Sequence, residues 1–374
     1  MIDYGIEFHN VDHLENVEGM GGKKLCRFPR DLSRSLGVAE NRNARFRADR
    51  VHGCELRFVT DSKYFDVALM AVEQDIDVLI YKGDLLHKKE VLKAGVSTVL
   101  HVEDPPVYEI VNKNMLTGKQ FAPWIWRIQF GMNGAIYFHY IDTYESTRRP
   151  PGKEEKPAVL WAAYGSSITC GSVTNLYSNS YINQAAVTAG WDVMNKGLSG
   201  SCLCEREVAD YLAELSVDVL SLEIGVNMVL FFDEEETCRR VEYLLETLKK
   251  SRARDIFVID MFPNKGLIAL DQDSAYYRHY RSFKEIVRQA ALKVGDHRFH
   301  LVKGEEILKD FTYLSTDLLH PSDNGHIRMG ANLADQLTGR RKGVLQHERQ
   351  IGCNCGRRRS IRRGSGCSCF QKWL

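Results

Sequence analysis

Five residues far apart in the chain are of the types that cleave an ester when brought together: Ser167, Gly200, Asn227, Asp317 and His320. They stand in four short segments, Gly165-Ser166-Ser167-Ile168-Thr169, Asn195-Lys196-Gly197-Leu198-Ser199-Gly200, Gly225-Val226-Asn227 and Asp317-Leu318-Leu319-His320-Pro321. A serine hydroxyl becomes a nucleophile once an imidazole takes its proton, and an acid beside that imidazole fixes its tautomer and stabilises its cation. Ser167 Oγ would attack a carbonyl carbon, His320 would take the proton and return it to the leaving alcohol, and Asp317 would orient the ring. The oxyanion would be held by the N–H of Ser167, the N–H of Gly200 and the amide of Asn227, each donor contributing about 3 kcal/mol in comparable sites. All of these are protein groups, so the chemistry calls for no metal and no organic cofactor.

Each segment also has a plain structural reading. Gly-Ser-Ser alone is a solvated turn, Asn227 and Gly200 alone are turn residues, and His320 before Pro321 could lead into a helix capped by Ser322. His326 is a rival base, but it falls four residues into a helical stretch with only Asp323 three residues before it. What favours acyl transfer is the joint occurrence of the segments, three of them following successive strands.

A displayed serine needs a strand ending behind it and a crevice in front. Ala158 to Tyr164 is an apolar run of strand length that breaks at Gly165, where a glycine turns without steric cost. Further strands are predicted at Trp191 to Asn195, Val217 to Glu223, Asp255 to Met261 and Arg298 to Val302, with helices between them at Tyr181 to Ala189, Glu205 to Leu215, Asp233 to Lys250, Ser274 to Val294 and Asp323 to Leu337. Strands alternating with helices imply a mostly parallel sheet covered on both faces, a three-layer α/β/α domain over 158–338. No G-x-S-x-G pentapeptide is present, which argues against the α/β-hydrolase nucleophile elbow.

The first 145 residues have another texture. Glu55 to Thr60, Tyr64 to Ala71, Asp75 to Lys82, Val96 to Val102, Trp124 to Phe130 and Ala135 to Asp142 are short runs, several alternating apolar with polar, behind a polar, Arg-rich lead-in. Period two with turn residues between runs predicts an all-β, antiparallel, jelly-roll-like sandwich. Trp124 and Trp126 share a parity, so core packing is the expectation for both, against a sugar-stacking platform. Residues 146–157, with prolines, a glycine and a run of charges, read as the linker.

The four segments resemble the sequence blocks of the SGNH (GDSL-type) hydrolases. The resemblance implies Ser167 as nucleophile from the first block, Gly200 and Asn227 as oxyanion donors from the second and third, and Asp317 with His320 from the D-x-x-H-P block. It implies a flavodoxin-like catalytic domain, and it extends over most of the chain through members that carry an N-terminal β-sandwich and a G-S-S-I-T first block. This sequence departs from the pattern at Ser166, where Asp is common after the first glycine, and at Met228, where Asp is frequent after the asparagine. The resemblance also implies the substrate, a short-chain acyl ester such as an O-acetyl group on a carbohydrate. Two readings stand beside the esterase: an acyltransferase using the same triad, and a non-catalytic carbohydrate-binding protein.

Composition bounds the remainder. With 374 residues, 44% of them hydrophobic and 26% charged, the chain is long enough for two cores. No apolar leader or membrane-length run is seen, so a cytoplasmic protein without a membrane partner is expected. From Gly339 onward ten Lys or Arg face one Glu, leaving 40 basic against 48 acidic residues before it, so nothing in the globular part suggests a nucleic-acid face. That tail, 339–374, reads as a disordered extension. Its Cys353, Cys355, Cys367 and Cys369 form C-x-C pairs that match zinc spacing poorly. The other six cysteines, Cys26, Cys54, Cys170, Cys202, Cys204 and Cys238, read as reduced thiols packed as small apolar residues.

Overall fold

Two antiparallel sheets form the N-terminal half of this computed structural model, which describes residues 1–339 other than 39, 40, 42 and 119. The extension and the C-x-C pairs expected beyond Gly339 lie outside the described residues. The strands are β1 (Ile2–Asp3), β2 (Ile6–His9), β3 (His13–Glu15), β4 (Lys23–Cys26), β5 (Glu55–Thr60), β6 (Tyr64–Val72), β7 (Ile76–Lys82), β8 (Leu85–Leu92), β9 (Ser97–Glu103), β10 (Trp126–Phe130), β11 (Ala135–Asp142) and β12 (Arg148–Arg149). One sheet runs β1-β2-β5-β10-β7-β8, with β12 also on β5, and the other runs β3-β4-β11-β6-β9. The alternation read from sequence is the inward face: Leu56 and Phe58 of β5, Phe65, Val67 and Leu69 of β6, and Ile76, Val78 and Ile80 of β7 fill one core between the sheets.

Three departures have simple causes. The lead-in contains β1 to β4 and two short helices, α1 (Arg30–Ser35) and α2 (Asn43–Ala48), all too short to show a period. Strand β8 lies at the edge of its sheet with most residues exposed, so it carries no alternation. The tryptophans part company: Trp126, in β10, is 1% exposed and packs in the sandwich core, whereas Trp124 precedes the strand, is 38% exposed, and donates its indole N–H to Glu155 Oε1 at 2.6 Å.

The second half is a parallel sheet of β13 (Leu160–Tyr164), β14 (Asp192–Asn195), β15 (Val219–Glu223), β16 (Asp255–Ile259) and β17 (Phe299–Val302) in the order β14-β13-β15-β16-β17. The helices are α3 (Ser167–Cys170), α4 (Tyr181–Ala189), α5 (Arg206–Glu214), α6 (Glu234–Leu248), α7 (Ala275–Lys293), α8 (Gly304–Ile307) and α9 (Asp323–Thr338). Alternate residues of β13 serve opposite layers. Ala162 and Tyr164 pack with Leu212 of α5, Leu244 of α6 and Phe283 of α7, while Trp161 and Ala163 pack with Ile182 of α4 and Leu333 of α9. The strand order reverses between β13 and β15, and that switch point opens a crevice at the carboxyl ends of both strands.

Residues Met1–Leu337 are one compact unit. Phe28, and Leu32 of α1 with Ala44 and Ala48 of α2, join the core cluster of α5 to α7. Arg57 of β5 pairs with Asp192 of β14 at 2.6 and 2.9 Å, which ties the sandwich to the edge of the parallel sheet. Among the described residues no helix is long and apolar enough to cross a membrane.

Candidate active site

The chain leaves β13 at Tyr164 and turns at Gly165 into α3, so Ser167 is the first residue of that one-turn helix and is 9% exposed. Ser166 is its N-cap, its hydroxyl accepting the Ile168 N–H at 3.2 Å. Gly165 is obligatory here, since a Cβ would meet Thr169 Oγ1 and come within 2.7 Å of Glu223 Oε2. The second segment is stitched to the first: Leu198 N–H donates to Gly165 O at 2.8 Å, and Asn195 Nδ2 donates to Thr169 O at 2.9 Å while its Oδ1 accepts the Gly197 N–H at 2.9 Å.

Ser167 Oγ lies 2.8 Å from His320 Nε2, and His320 Nδ1 lies 2.6 Å from Asp317 Oδ2. With Nδ1 donating to the carboxylate, Nε2 is left as acceptor toward the serine. The D-x-x-H spacing works because Asp317 folds back over its own turn. Its Oδ1 accepts the Leu319 N–H at 2.9 Å, the His320 N–H at 3.0 Å and the Ser315 hydroxyl at 2.8 Å. Burial alone would raise the Asp317 carboxyl, but the His320 ring, these two amides and the Ser315 hydroxyl outweigh it and hold the group well below the usual carboxylate range. Leu318 takes a left-handed conformation, φ 54°, at a cost of about 1–2 kcal/mol. Its carbonyl accepts the Lys265 N–H at 2.8 Å, which holds the turn.

Gly200 is exposed at φ 66°, and its carbonyl accepts from Asn41 Nδ2 at 2.8 Å, a residue from the lead-in of the sandwich half. Asn227 accepts the Cys202 N–H on Oδ1 at 3.1 Å, which fixes the turn of its amide and leaves Nδ2 as a donor. Among the described residues, no hydrogen bond engages the Ser167 N–H, the Gly200 N–H or Asn227 Nδ2. Beneath the second segment lies Arg27, wholly buried, with no carboxylate partner. Its guanidinium donates to the carbonyls of Asn195 at 2.7 Å and Gly197 at 3.2 Å, and to those of Arg47 and Arg50.

The structure thus brings Ser167, His320 and Asp317 into one hydrogen-bonded row and sets Gly200 and Asn227 on turns stitched to neighbouring strand ends. His326 is not part of it. It is buried in α9, its Nε2 lies 3.0 Å from Ser172 O, and burial pushes it down to about 4. Met228, where the resembled pattern has an acid, is a core residue. Cys26, Cys54, Cys170, Cys202 and Cys204 are buried free thiols and Cys238 is half-buried. Sequence reasoning missed Ser315, Asn195, Asn41, Arg27 and Glu223, whose parts depend on which strand ends face each other. A separate cavity of about 350 Å³ lies between β5, β10 and α4, lined by Arg57, Arg127, Gln129 and Asn183 among others, and no triad residue lines it.

A doubly wound α/β/α layer behind an antiparallel sandwich, with a Ser-His-Asp row at the switch point, defines the SGNH type of hydrolase fold. Residues 155–338 match the GDSL-like lipase/acylhydrolase family. None of the curated protein sequences matches this chain. Among solved structures it is similar to the salicylyl-acyltransferase SsfX3 from a tetracycline biosynthetic pathway, with 16% identity and a TM-score of 0.73 over 92% of this chain and 96% of that one. It is also similar to a family two carbohydrate esterase from Clostridium thermocellum in complex with cellohexaose, with 13% identity and a TM-score of 0.56 over 90% and 99%. The family two carbohydrate esterase from Cellvibrio japonicus follows, with 13% identity and a TM-score of 0.54 over 90% and 95%. At these identities the likeness is one of fold.

Proposed function

We propose that the protein is a serine esterase that cleaves short-chain acyl esters through an acyl-enzyme, with Ser167 as nucleophile, His320 as general base and acid, and Asp317 as the orienting carboxylate. The observation that carries this reading is the 2.8 Å approach of Ser167 Oγ to His320 Nε2 in line with the 2.6 Å contact to Asp317. Ser167 Oγ attacks the acyl carbon as its proton passes to His320, and the charge that develops on the carbonyl oxygen is met by the Ser167 and Gly200 N–H groups and Asn227 Nδ2. Collapse expels the alcohol, which takes the proton from His320. Water, deprotonated by the same ring, then attacks the acyl-enzyme and frees the acid.

The natural substrate we infer is a small O-acyl group, such as acetyl, on a carbohydrate. The carbohydrate esterases that share the fold support it, as does a triad whose Asp317 and His320 side chains are 44% and 22% exposed, open to an ester on a large alcohol. A second reading, in which an acceptor hydroxyl replaces water at the last step, is favoured by the overlay with a salicylyl-acyltransferase over nearly the whole chain. Supplying acylated sugars or nitrophenyl esters with and without alcohol acceptors, and following the acyl group, separates the two. Ser167→Ala is expected to lower kcat by at least about 10⁴-fold and to abolish labelling by a fluorophosphonate, with the melting transition retained. Activity near wild type in that variant would remove Ser167 from the reaction.

A further inference from the structure

Glu223 ends β15, is buried, and does not touch the triad. Its Oε2 accepts three hydrogen bonds, from the Ser166 N–H and the Ser166 hydroxyl at 2.7 Å each and from the Thr169 hydroxyl at 3.1 Å. Its Oε1 is buried with no hydrogen-bond partner. Among the described residues no Lys, Arg or His forms an ion pair with it. A buried carboxylate without a cation is a costly means of closing a turn, since an amide or an apolar side chain of similar size fills the same space without desolvating a charge. Every bond it makes runs to the two residues that flank Ser167 and Ile168.

We propose that Glu223 is a positioning residue for the nucleophile: through Ser166 and Thr169 it clamps the turn that carries Ser167 to the end of β15, and so sets the distance from Ser167 Oγ to His320. The inference rests on the reading of Ser167 as nucleophile. It also accounts for Ser166, which stands where the resembled pattern has an acid. Here the acid comes from the adjacent strand, and Asp at 166 would set two carboxylates against each other.

The clamp is strongest when ionised, because hydrogen bonds to a charged acceptor are roughly twice as strong as neutral ones. Burial raises the Glu223 carboxyl to about 7 despite the opposing hydrogen bonds from Ser166 and Thr169. The titratable groups that face it are Cys170 of α3, Tyr181 of α4 and Cys202 of the loop after Gly200, all of which burial keeps protonated across this range. Glu223 therefore gains its charge alone, near neutrality.

Glu223→Gln preserves shape and one acceptor oxygen but places an NH₂ at the position of Oε1, which has no hydrogen-bond partner. The expected result is a fall of about 10–100-fold in kcat and in the rate of fluorophosphonate labelling, with KM within about twofold. In the wild type the acid limb of log kcat/KM should carry a further fall of about one to two log units as pH drops through about 7, and the variant should lack that fall. Stability moves the other way. The folded carboxyl keeps its proton to about 7 against an ordinary 4.5, so folding takes up a proton in that window and stability falls as pH rises through it. Glu223→Gln removes that loss, so its Tm at pH 8 should equal or exceed that of the wild type. Wild-type labelling in the variant, or a rate loss matched by a fall in Tm with the acid limb unchanged, overturns the proposal. If no serine is labelled in the wild type, the esterase reading fails by itself. The crystal structure of Glu223→Gln then decides: a turn displaced so that Ser167 Oγ leaves His320 Nε2 supports the clamp, and an unmoved turn overturns it.

Discussion

Asp317 shows how much of a carboxylate's behaviour lies in its immediate bonds. Four donors converge on its two oxygens, from the His320 ring, two backbone amides and Ser315, and hold the carboxyl well below its usual range. Its charge contributes stability above the ordinary carboxylate range that is lost only as pH falls toward its depressed value. Asp317→Asn keeps the shape but turns a donor toward His320 Nδ1 and favours the wrong tautomer. It should lower kcat by about 10³–10⁴-fold, less than the loss of Ser167, with the fold intact by circular dichroism. A drop as deep as that of Ser167→Ala would mean that the acid does more than orient the ring. The approach of Ser167, His320 and Asp317 was legible in the sequence because acyl transfer tolerates few residue types and the spacings are tight. Glu223 and Ser315 were not. A glutamate at a strand end and a serine in a loop acquire their parts only when register turns them toward Ser166 and Asp317.

At the scale of elements, the strand ends do the positioning, and glycine marks where two of them approach. Gly165 and Gly200 look alike in sequence, yet they differ in kind. A methyl at Gly165 would strike Thr169 and Glu223, whereas at Gly200 it would meet nothing within 4 Å and pay only for its left-handed φ of 66°. Gly165→Ala is therefore expected to cost about 1–3 kcal/mol by urea denaturation and to slow nucleophile labelling, because the turn must shift. Gly200→Ala should cost about 1–2 kcal/mol and keep its N–H in place, with most of the labelling rate retained. The reverse ranking would show that α3 accommodates the methyl and that the Gly200 turn is the rigid one. The α/β half was legible almost element by element, with α4 starting and ending where its periodicity placed it, since its strands and helices are long enough to repeat. The lead-in was not, because β1 to β4 are two to four residues each and are specified by their partners.

Across the whole molecule, the sandwich is built into the catalytic half. It reaches the segment from Asn195 to Gly200 through Asn41 and Arg27, it covers α5 with α1, and it places Arg57 among carboxylates of both halves: Asp192 of β14, Glu55 of β5 and Glu7 of β2. None of this was legible in the sequence, where Glu55 and Arg57 are only the polar members of an alternating strand. Arg57 is 1% exposed and holds Asp192 with two bonds, so its removal leaves that buried acid without its cation. Arg57→Met fills the volume but takes the guanidinium from Asp192, while Glu55 keeps Arg127 and Glu7 keeps Lys156, and it should cost about 3 kcal/mol by urea denaturation at pH 7, with kcat per folded molecule near wild type because Arg57 makes no contact with Ser167, His320 or Asp317. Adding Asp192→Asn should recover part of the loss, since it deletes the acid that the guanidinium holds with two bonds. A variant as stable as wild type would mean that the seam between the halves is hydrated and that the sandwich could be exchanged without disturbing the site. A destabilised one whose folded fraction keeps its rate means that Arg57 serves the stability of the seam and not the geometry around Ser167.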